Sequence, residues 1–208
     1  MSALSYNINL KASQGDWRLF MTRKADPSFE KFSKKILKKC SYQCQFCGFS
    51  SLLHLDIVNV DGNYMNNKLS NLVASCPLCT QCFFLESVGK GDFGGGTLIY
   101  LPEFSQTQLN ASCHVFFSCI AFGGKFAQES KDSYRLIRQR SKTIESKLGN
   151  GLSNPSVYGQ MLIDHEKNTV SIHEDLQKSI RLLPNLKKFA PIVNQWIDTS
   201  VDELVDRC

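Results

Sequence analysis

The sequence lacks the features of a membrane-spanning or exported protein. No apolar run approaches the roughly 20 residues that a membrane-spanning helix needs, and Met1–Leu10 lacks the charged start and apolar stretch of a signal peptide. Low-complexity linkers and internal repeats are also missing. With 42% hydrophobic and 21% charged residues among 208, the composition is that of an ordinary globular protein. We therefore expect a folded, cytosolic protein that does not insert into a membrane.

The sequence also lacks the even number of cysteines that a complete set of disulfides within one chain would need. The chain has nine cysteines, and four of them form two tight pairs, Cys44-Gln45-Phe46-Cys47 and Cys76-Pro77-Leu78-Cys79. A two-residue spacer lets both thiolates of a pair face one ion, and Gly48 permits a sharp turn after the first pair. The spacing predicts one structural Zn²⁺ ion in a reducing compartment, with these ligands: Cys44, Cys47, Cys76 and Cys79.

The other cysteines and the histidines have weaker claims on a function. Cys40 and Cys82 flank the pairs without sharing their spacing, and they are the second choice as ligands. Cys113 is followed by His114, but adjacent residues on a helix do not face each other, so we expect no nucleophilic pair there. Cys119 and Cys208 are expected, like Cys113, to be plain thiols. No partner can be named for His165 and His173.

Positive charge is concentrated before the first cysteine pair. The net charge is +5, and the basic side chains between positions 18 and 39 are Arg18, Arg23, Lys24, Lys31, Lys34, Lys35, Lys38 and Lys39. Such a patch either binds the phosphates of nucleic acid or anionic lipid or forms the solvated side of an amphipathic helix. Because charge runs are usually solvated faces, we favour the second interpretation.

Residue patterns in the first half predict two regions. Residues 1–34 are expected to form one or two short N-terminal strands and the start of a basic helix, with Asp26-Pro27 as the cap and first turn. Residues 35–96 carry both cysteine pairs. Between the pairs we expect a strand near positions 53–60, a turn at Asp61-Gly62-Asn63 and a return segment over Leu69–Ala74, and after them a short helix near Thr80–Val88.

The second half, residues 97–208, is predicted to be mainly helical and packed against the first. A strand over Thr97–Leu101 is followed by a helix from Ser105 to the Gly123-Gly124 stop, a polar helix near Lys131–Leu148 and a helix that starts at Asn154-Pro155. Apolar residues after position 175, including Leu176, Ile180, Leu183 and Trp196, predict terminal helices. The G-x-G-x-x-G match at Gly89–Gly94 precedes a strand instead of joining a strand to a helix, so it predicts a loop.

Residues 35–88 resemble the HNH nuclease family. The likeness rests on Lys35-Ile36-Leu37-Lys38-Lys39 before Cys44–Gly48, on Asp61-Gly62-Asn63, and on Asn71-Leu72-Val73 before the second cysteine pair. The resemblance implies an α+β fold in which an HNH-like, treble-clef zinc module precedes the mainly helical C-terminal half.

The chain departs from the HNH pattern at both catalytic histidines. Asp56-Ile57 stands where active members have an acidic residue or histidine followed by histidine, and Thr80 stands where a histidine follows the last cysteine. Asn71 remains, but hydrolysis needs a base and a divalent ion. His54 lies on the opposite strand face from Ile57 and could serve only if the register were shifted. We therefore expect no catalytic residue and no enzymatic activity.

The whole chain resembles the IcmJ family, also called DotN, of the Dot/Icm type IVB secretion system of Legionella and its relatives. The likeness includes Tyr6-Asn7-Ile8, the region of the cysteine pairs and the helix start at Ser153-Asn154-Pro155. It implies a scaffold or adaptor that binds the C-terminal extension of the coupling ATPase, DotL, with its co-adaptors, and that supports effector export. It also implies a place in the bacterial cytoplasm, peripheral to the inner membrane. The sequence does not identify the partner-binding residues.

Two other functions stay open at this level. A nucleic-acid-binding zinc protein would use the lysine patch and lose affinity steeply as salt is added. A cryptic HNH nuclease would cut DNA with added magnesium or manganese and would depend on His54. We favour the adaptor, for which nucleic acid is not the expected partner.

Overall fold

The computed structural model describes residues 6–168 and 174–205. The helices are α1 (Asp16–Lys24), α2 (Pro27–Lys39), α3 (Pro77–Thr80), α4 (Gln106–Phe122), α5 (Ala127–Gln139), α6 (Ser141–Leu148), α7 (Pro155–Asn168), α8 (Glu174–Gln177) and α9 (Leu186–Val205). The strands are β1 (Asp56–Asn59), β2 (Leu72–Ser75), β3 (Gly96–Tyr100) and β4 (Ile180–Pro184). This mixture of helices and small sheets is the α+β class predicted from the sequence. Within the described ranges, no helix combines the length and apolarity needed to cross a bilayer.

The predicted N-terminal strands are wrong for the described residues. Residues 6–13 form no regular element, and Asp16–Lys24 is helical. Ile8 and Ala12 of this segment are nonetheless buried. Lys11 exchanges backbone hydrogen bonds with Cys82 and Leu85, at 2.9 Å each. Those partners lie in two successive 3-10 turns, so this segment has no strand to pair with there.

Helix α2 begins as predicted. The Asp26 side chain accepts a hydrogen bond from the Ser28 N–H at 2.8 Å, and Pro27 occupies the first turn, where its missing N–H costs nothing. The buried face packs through Ile36 against Ile57 and Leu72. Helix α2 therefore covers the first sheet and leaves its lysines on the outer side.

The first sheet joins the two cysteine pairs. Strands β1 and β2 are antiparallel, with Asp56 opposite Ser75 and Asn59 opposite Leu72. Cys76 follows the last residue of β2 directly. The helix predicted over Thr80–Val88 is wrong in detail: α3 ends at Thr80, and 3-10 turns follow over Gln81–Phe83 and Leu85–Ser87.

The second sheet corrects the prediction for the C-terminal region. Strand β4 pairs antiparallel with β3, with Gly96 opposite Pro184 and Tyr100 opposite Ile180, whereas Ile180 and Leu183 were predicted to be helical. The side chains of Ile180, Leu182 and Leu183 are all buried. A run buried on both faces has no alternation to reveal it as a strand, and its apolar spacing also fits a helix.

One apolar core extends through all three predicted regions. It includes Phe20 of α1, Phe46 of the first cysteine pair, Leu98 of β3, Phe117 of α4 and Val193 of α9. The polar helix predicted near 131–148 is found as two helices, α5 and α6, which meet at Arg140. Helix α7 begins at Pro155 as predicted and packs closely on the turn Leu85–Ser87, where a Cβ on Gly159 would clash with the backbone nitrogen of Glu86.

Candidate metal centre

The fold brings the sulfur atoms of both cysteine pairs together. The Sγ atoms of Cys44, Cys47, Cys76 and Cys79 all lie within 4.8 Å of one another. A tetrahedral zinc site with Zn–S bonds of about 2.3 Å needs sulfur atoms about 3.8 Å apart. The Cys47 and Cys76 sulfurs are 3.5 Å apart, too far for a disulfide and close to that spacing. The four side chains could therefore hold a metal ion.

Backbone hydrogen bonds shape the first pair into a tight loop. The Cys44 N–H donates to the Phe49 carbonyl at 2.8 Å, and the Gly48 N–H donates to the Cys44 carbonyl at 3.1 Å. Gly48 has a φ of +80°, the left-handed conformation that a residue without Cβ adopts freely. The Gln45 N–H donates to the Ala74 carbonyl at 2.9 Å, which ties the loop to β2.

The second pair lies at the start of a helical turn. Cys76 is the N-cap residue of α3, and Pro77 occupies its first turn. The N–H groups of Cys79 and Thr80 donate to the Cys76 carbonyl, at 3.0 and 2.8 Å. Cys76 and Cys79 thus lie on one side of a single turn and face the first pair.

Burial keeps two of these thiols protonated when no cation is bound. Burial raises the pKa of Cys76 and Cys79 well above the ordinary thiol value. At Cys44 burial acts in the same direction, but hydrogen bonds from the other three thiols outweigh it and lower its pKa. A bound divalent ion reverses the penalty, because a coordinating thiol loses its proton. The chemistry of the donors therefore fits a soft, tetrahedral cation such as zinc.

Helix α4 brings two polar side chains against the cysteine cluster. These contacts were not predicted from the sequence. The Asn110 Nδ2 lies 3.3 Å from Cys79 Sγ, and the His114 Nε2 lies 3.2 Å from Cys76 Sγ. The His114 ring stacks on Phe49 of the first cysteine loop with centroids 4.0 Å apart, and Trp196 of α9 lies 4.8 Å away. The C-terminal half thus forms one wall of the cluster. The position of His114 beside Cys76 was not predicted from the sequence.

The remaining cysteines lie outside the cluster in the described part of the chain. Cys82 is buried, and burial raises its pKa to about 12. Its thiol contacts the Leu78 carbonyl at 3.4 Å. Cys40 packs beside Ile36 in the α2 interface. Cys113 is buried and Cys119 half-buried, while the predictions for Cys208 and His173 lie outside the described residues.

Comparison with known proteins identifies the family. No protein-family model matches the chain. The chain is 47% identical over 199 residues to the type 4 apparatus protein DotN of Legionella pneumophila subsp. pneumophila strain Philadelphia 1. The alignment covers 96% of this chain and 93% of that protein. The chain belongs to the DotN family. The resemblance to that family found in the sequence is therefore confirmed.

Positions that would be catalytic in an HNH enzyme have structural contacts in this DotN-family chain. Ile57 is 4% exposed. The Thr80 hydroxyl donates to Ser75 Oγ at 3.1 Å. The Asn71 Oδ1 accepts from the Asp61 N–H at 3.0 Å, and its Nδ2 donates to Asp61 and to the Asn66 carbonyl, both at 2.8 Å.

His54 is half-buried just before β1 in this member of the DotN family. Its ring centroid is 6.4 Å from that of Trp196, and burial lowers its pKa. The neighbouring acidic residue, Asp56, forms an ion pair with Lys24 at 2.6 Å. His54 therefore lies against an aromatic ring, and the nearby carboxylate has a partner of its own.

The basic patch of the DotN-family chain is smaller than the sequence indicates. Arg23 turns inward and donates to Ile57 O and Asn67 Oδ1, both at 2.7 Å. Lys24 pairs with Asp56, and Lys34 pairs with Glu30 at 2.8 Å. The exposed lysines of α2 are Lys31, Lys34, Lys35, Lys38 and Lys39. They lie on the side away from Ile36, as expected of a solvated helix face.

Proposed function

We propose that this protein is a non-enzymatic scaffold or adaptor subunit of a Dot/Icm type IV secretion apparatus, stabilised by one structural zinc ion. The observation that carries the proposal is the 47% identity to a type 4 apparatus protein over 96% of this chain. The alignment covers 96% of this chain and 93% of that protein, so it leaves little of either chain unmatched. The same partners are therefore the first to test.

The proposed zinc ligands are Cys44, Cys47, Cys76 and Cys79. Their support is the fit of four buried sulfurs within 4.8 Å to tetrahedral coordination. With four protein ligands no position is left for water, so the ion would hold the two pairs together and would not activate a nucleophile. The order of α2, cysteine loop, β1, β2, cysteine turn and α3 suits the HNH-like, treble-clef arrangement inferred from the sequence.

The proposed partner is the C-terminal extension of the coupling ATPase, DotL. This part of the proposal rests on the resemblance described in the sequence analysis, and it includes a location in the cytoplasm beside the inner membrane. The chain also has apolar side chains available for contacts, including Val115, Phe122, Phe126 and Leu136, which are 55–72% exposed. A tail that folds on such a surface would gain affinity chiefly from apolar burial.

Calorimetric titration tests the partner. The full-length, zinc-loaded chain is titrated with the C-terminal extension of the coupling ATPase at physiological and at high salt. Binding that survives high salt supports a packed interface. A scrambled peptide of equal charge is the control. Failure of the native extension to bind would contradict the adaptor proposal.

The absence of enzymatic activity is tested separately. Supercoiled DNA is incubated with the zinc-loaded protein and added magnesium or manganese, with His54→Ala as the matched variant. We expect no cleavage by either protein. Cleavage that disappears in the variant would establish a nuclease and overturn this part of the proposal. Binding of DNA that falls steeply with salt and with charge reversal at Lys35 and Lys38 would instead support the nucleic-acid alternative.

A further inference from the structure

We propose that α4 supports the metal centre through Asn110 and His114, which donate N–H···S hydrogen bonds to the ligand sulfurs of Cys79 and Cys76. The inference rests on the proposed zinc site and deepens it. Gln106, Asn110 and His114 follow one another at four-residue spacing, so they form a single polar stripe along α4. The three side chains are 2%, 0% and 7% exposed. We call them the α4 stripe.

The backbone of β4 fixes the direction of the hydrogen bonds along the stripe. The Leu182 N–H donates to Gln106 Oε1 at 2.8 Å, so the oxygen of that amide must face β4. The Gln106 Nε2 then donates to the Leu182 carbonyl at 2.8 Å and to Asn110 Oδ1 at 3.0 Å. The Asn110 oxygen is therefore occupied, and its Nδ2 is directed at the cysteines.

Asn110 consequently faces the second cysteine pair as a donor. Its Nδ2 lies 3.3 Å from Cys79 Sγ and 3.2 Å from the Leu78 carbonyl. An amide N–H beside sulfur is favourable when the sulfur is a negative thiolate. A backbone N–H in the second sheet thus determines which end of Asn110 meets the metal ligand.

His114 makes the second contact one helical turn later. Its Nε2 lies 3.2 Å from Cys76 Sγ, while its Nδ1 is buried and has no hydrogen-bond partner among the described residues. The proton therefore belongs on Nε2, where it meets the sulfur. Stacking on Phe49 holds the ring with an interplanar angle of 3°.

The charge of the site explains why these donors matter. Four thiolates around Zn²⁺ leave two negative charges in a pocket where the ligands are at most 9% exposed. Hydrogen bonds to ligand atoms spread that charge and commonly change metal affinity by about 10–100-fold. Donors on Cys76 and Cys79 would stabilise the metal-bound form of the second pair.

Cobalt substitution of the full-length protein tests the stripe. His114→Phe keeps a ring against Phe49 but removes the donor, whereas His114→Gln restores an N–H near the same place. Asn110→Asp puts an oxygen beside Cys79 with little change of shape. Cys113→Ala, in the same buried turn of α4, is the packing control. The readouts are the sulfur-to-cobalt charge-transfer band, metal affinity by chelator competition and circular dichroism.

We expect His114→Phe and Asn110→Asp to bind metal about 10–100-fold more weakly than the wild type. Their charge-transfer bands should shift to lower energy. His114→Gln and Cys113→Ala should have nearly the same metal affinity and charge-transfer band as the wild type. If His114→Phe and Asn110→Asp keep the metal affinity and the charge-transfer band of the wild type, the inference about Asn110 and His114 is overturned. The proposed metal centre would not be affected by that result. Wild-type protein that takes up no cobalt would overturn the metal centre itself. A wild-type spectrum with three sulfurs and one nitrogen would show His114 to be a ligand and would also overturn the inference.

Discussion

The two small sheets of this protein are held together in different ways. Strands β1 and β2 are close in sequence and are tied to the cysteine cluster at their ends, through the Gln45–Ala74 hydrogen bond and through Cys76. Strands β3 and β4 come from distant parts of the chain, and the outer side of β4 is satisfied by the amide of Gln106. We expect the first sheet to depend on the proposed metal ion as well as on its packing against α2, whereas the second has apolar packing and one buried polar side chain, Gln106.

The difference shows what each sheet contributes. The first sheet and its cysteines form a local scaffold, and we expect the stability of this scaffold to follow metal binding. The strands of the second sheet are far apart in sequence, because Ile180–Pro184 pairs with Gly96–Tyr100. The α4 stripe connects the two sheets, since Gln106 contacts β4 while Asn110 and His114 contact the cysteines. Perturbing one sheet should therefore reach the other through α4.

Removal of a metal ligand should have the largest effect on stability. It should also show whether the first sheet depends on the metal ion more than the second sheet does. Cys76→Ser is expected to lose the zinc ion and more than about 4 kcal/mol of unfolding free energy, since the binding energy of a structural site is folding energy. Hydrogen exchange measured by mass spectrometry should show β1 and β2 losing protection first. Cys119→Ser, at a half-buried thiol outside the cluster, is the control. A stable Cys76→Ser protein that retains one zinc ion would refute the ligand set.

Loss of the Gln106 amide should damage the second sheet. Gln106→Leu leaves the Leu182 N–H and carbonyl buried without their partner, which should cost about 3 kcal/mol. Urea unfolding gives the free energy, and exchange of the Leu182 amide locates the damage. Gln108→Leu removes only an exposed capping contact of the same helix, with an expected cost of about 0.5–1 kcal/mol. Equal losses in the two variants would contradict the role of the buried amide.

Short-range patterns predicted the first sheet and its surroundings. The cysteine spacing, the Asp26-Pro27 cap and the turn before the return strand all act within a few residues, and the structure contains each of them. Strand β4 could not be predicted in this way. Its partner Tyr100 lies far away in sequence from Ile180, and a fully buried strand shows no alternation that would distinguish it from a helix.

The α4 contacts to the cluster were missed for a similar reason. His114 and Cys76 are 38 positions apart, and metal-ligand spacing rules say nothing about residues outside the ligand pairs. A signal was present nonetheless: Gln106, Asn110 and His114 recur every four residues in a helix that is otherwise apolar on its buried side. Polar residues at helical spacing within a core helix indicate buried hydrogen-bond partners.

A buried carboxyl group in the turn that follows the cysteine pairs should make the stability of the fold depend on pH. Burial raises the pKa of Glu86 to about 7, and backbone N–H groups of Glu86 and Ser13 offset only part of that effect. The folded state then holds a proton that the unfolded state has lost. Stability should therefore fall as pH rises from about 4.5 to 7, by about 1–2 kcal/mol after allowance for solvent screening.

Glu86→Gln should remove this loss. Its unfolding free energy at pH 8 should exceed that of the wild type, and the difference should shrink by pH 5. Urea unfolding of the zinc-loaded proteins at the two pH values measures it. Glu129→Gln, at an exposed position of α5, is the matched control. If the unfolding free energies of the wild type and Glu86→Gln change in parallel with pH, the buried carboxylate is not the source of the pH dependence.

The smallest expected effect tests the loop of the first sheet. Asp61 accepts hydrogen bonds from the Asn63 N–H and Asn71 Nδ2, both at 2.8 Å, and from Asn66 Nδ2 at 2.7 Å. Slight desolvation opposes these bonds, but together with Lys11 they lower the pKa of Asp61 below its ordinary 3.8. Asp61→Asn sets two amide donors against each other, and because the site is exposed we expect a cost of about 0.5–1 kcal/mol.

That cost should depend on pH in the opposite direction to the Glu86 effect. The contribution of Asp61 is fully present above its unfolded pKa of about 3.8 and is lost as pH falls through the lower folded value. Urea midpoints of wild type and Asp61→Asn at pH 7 measure it, with Asp92→Asn in the exposed glycine-rich loop as the control. A cost equal to that of Asp92→Asn would mean that the Asp61 side chain adds nothing to the turn, which is then held by its backbone and by the strands it joins.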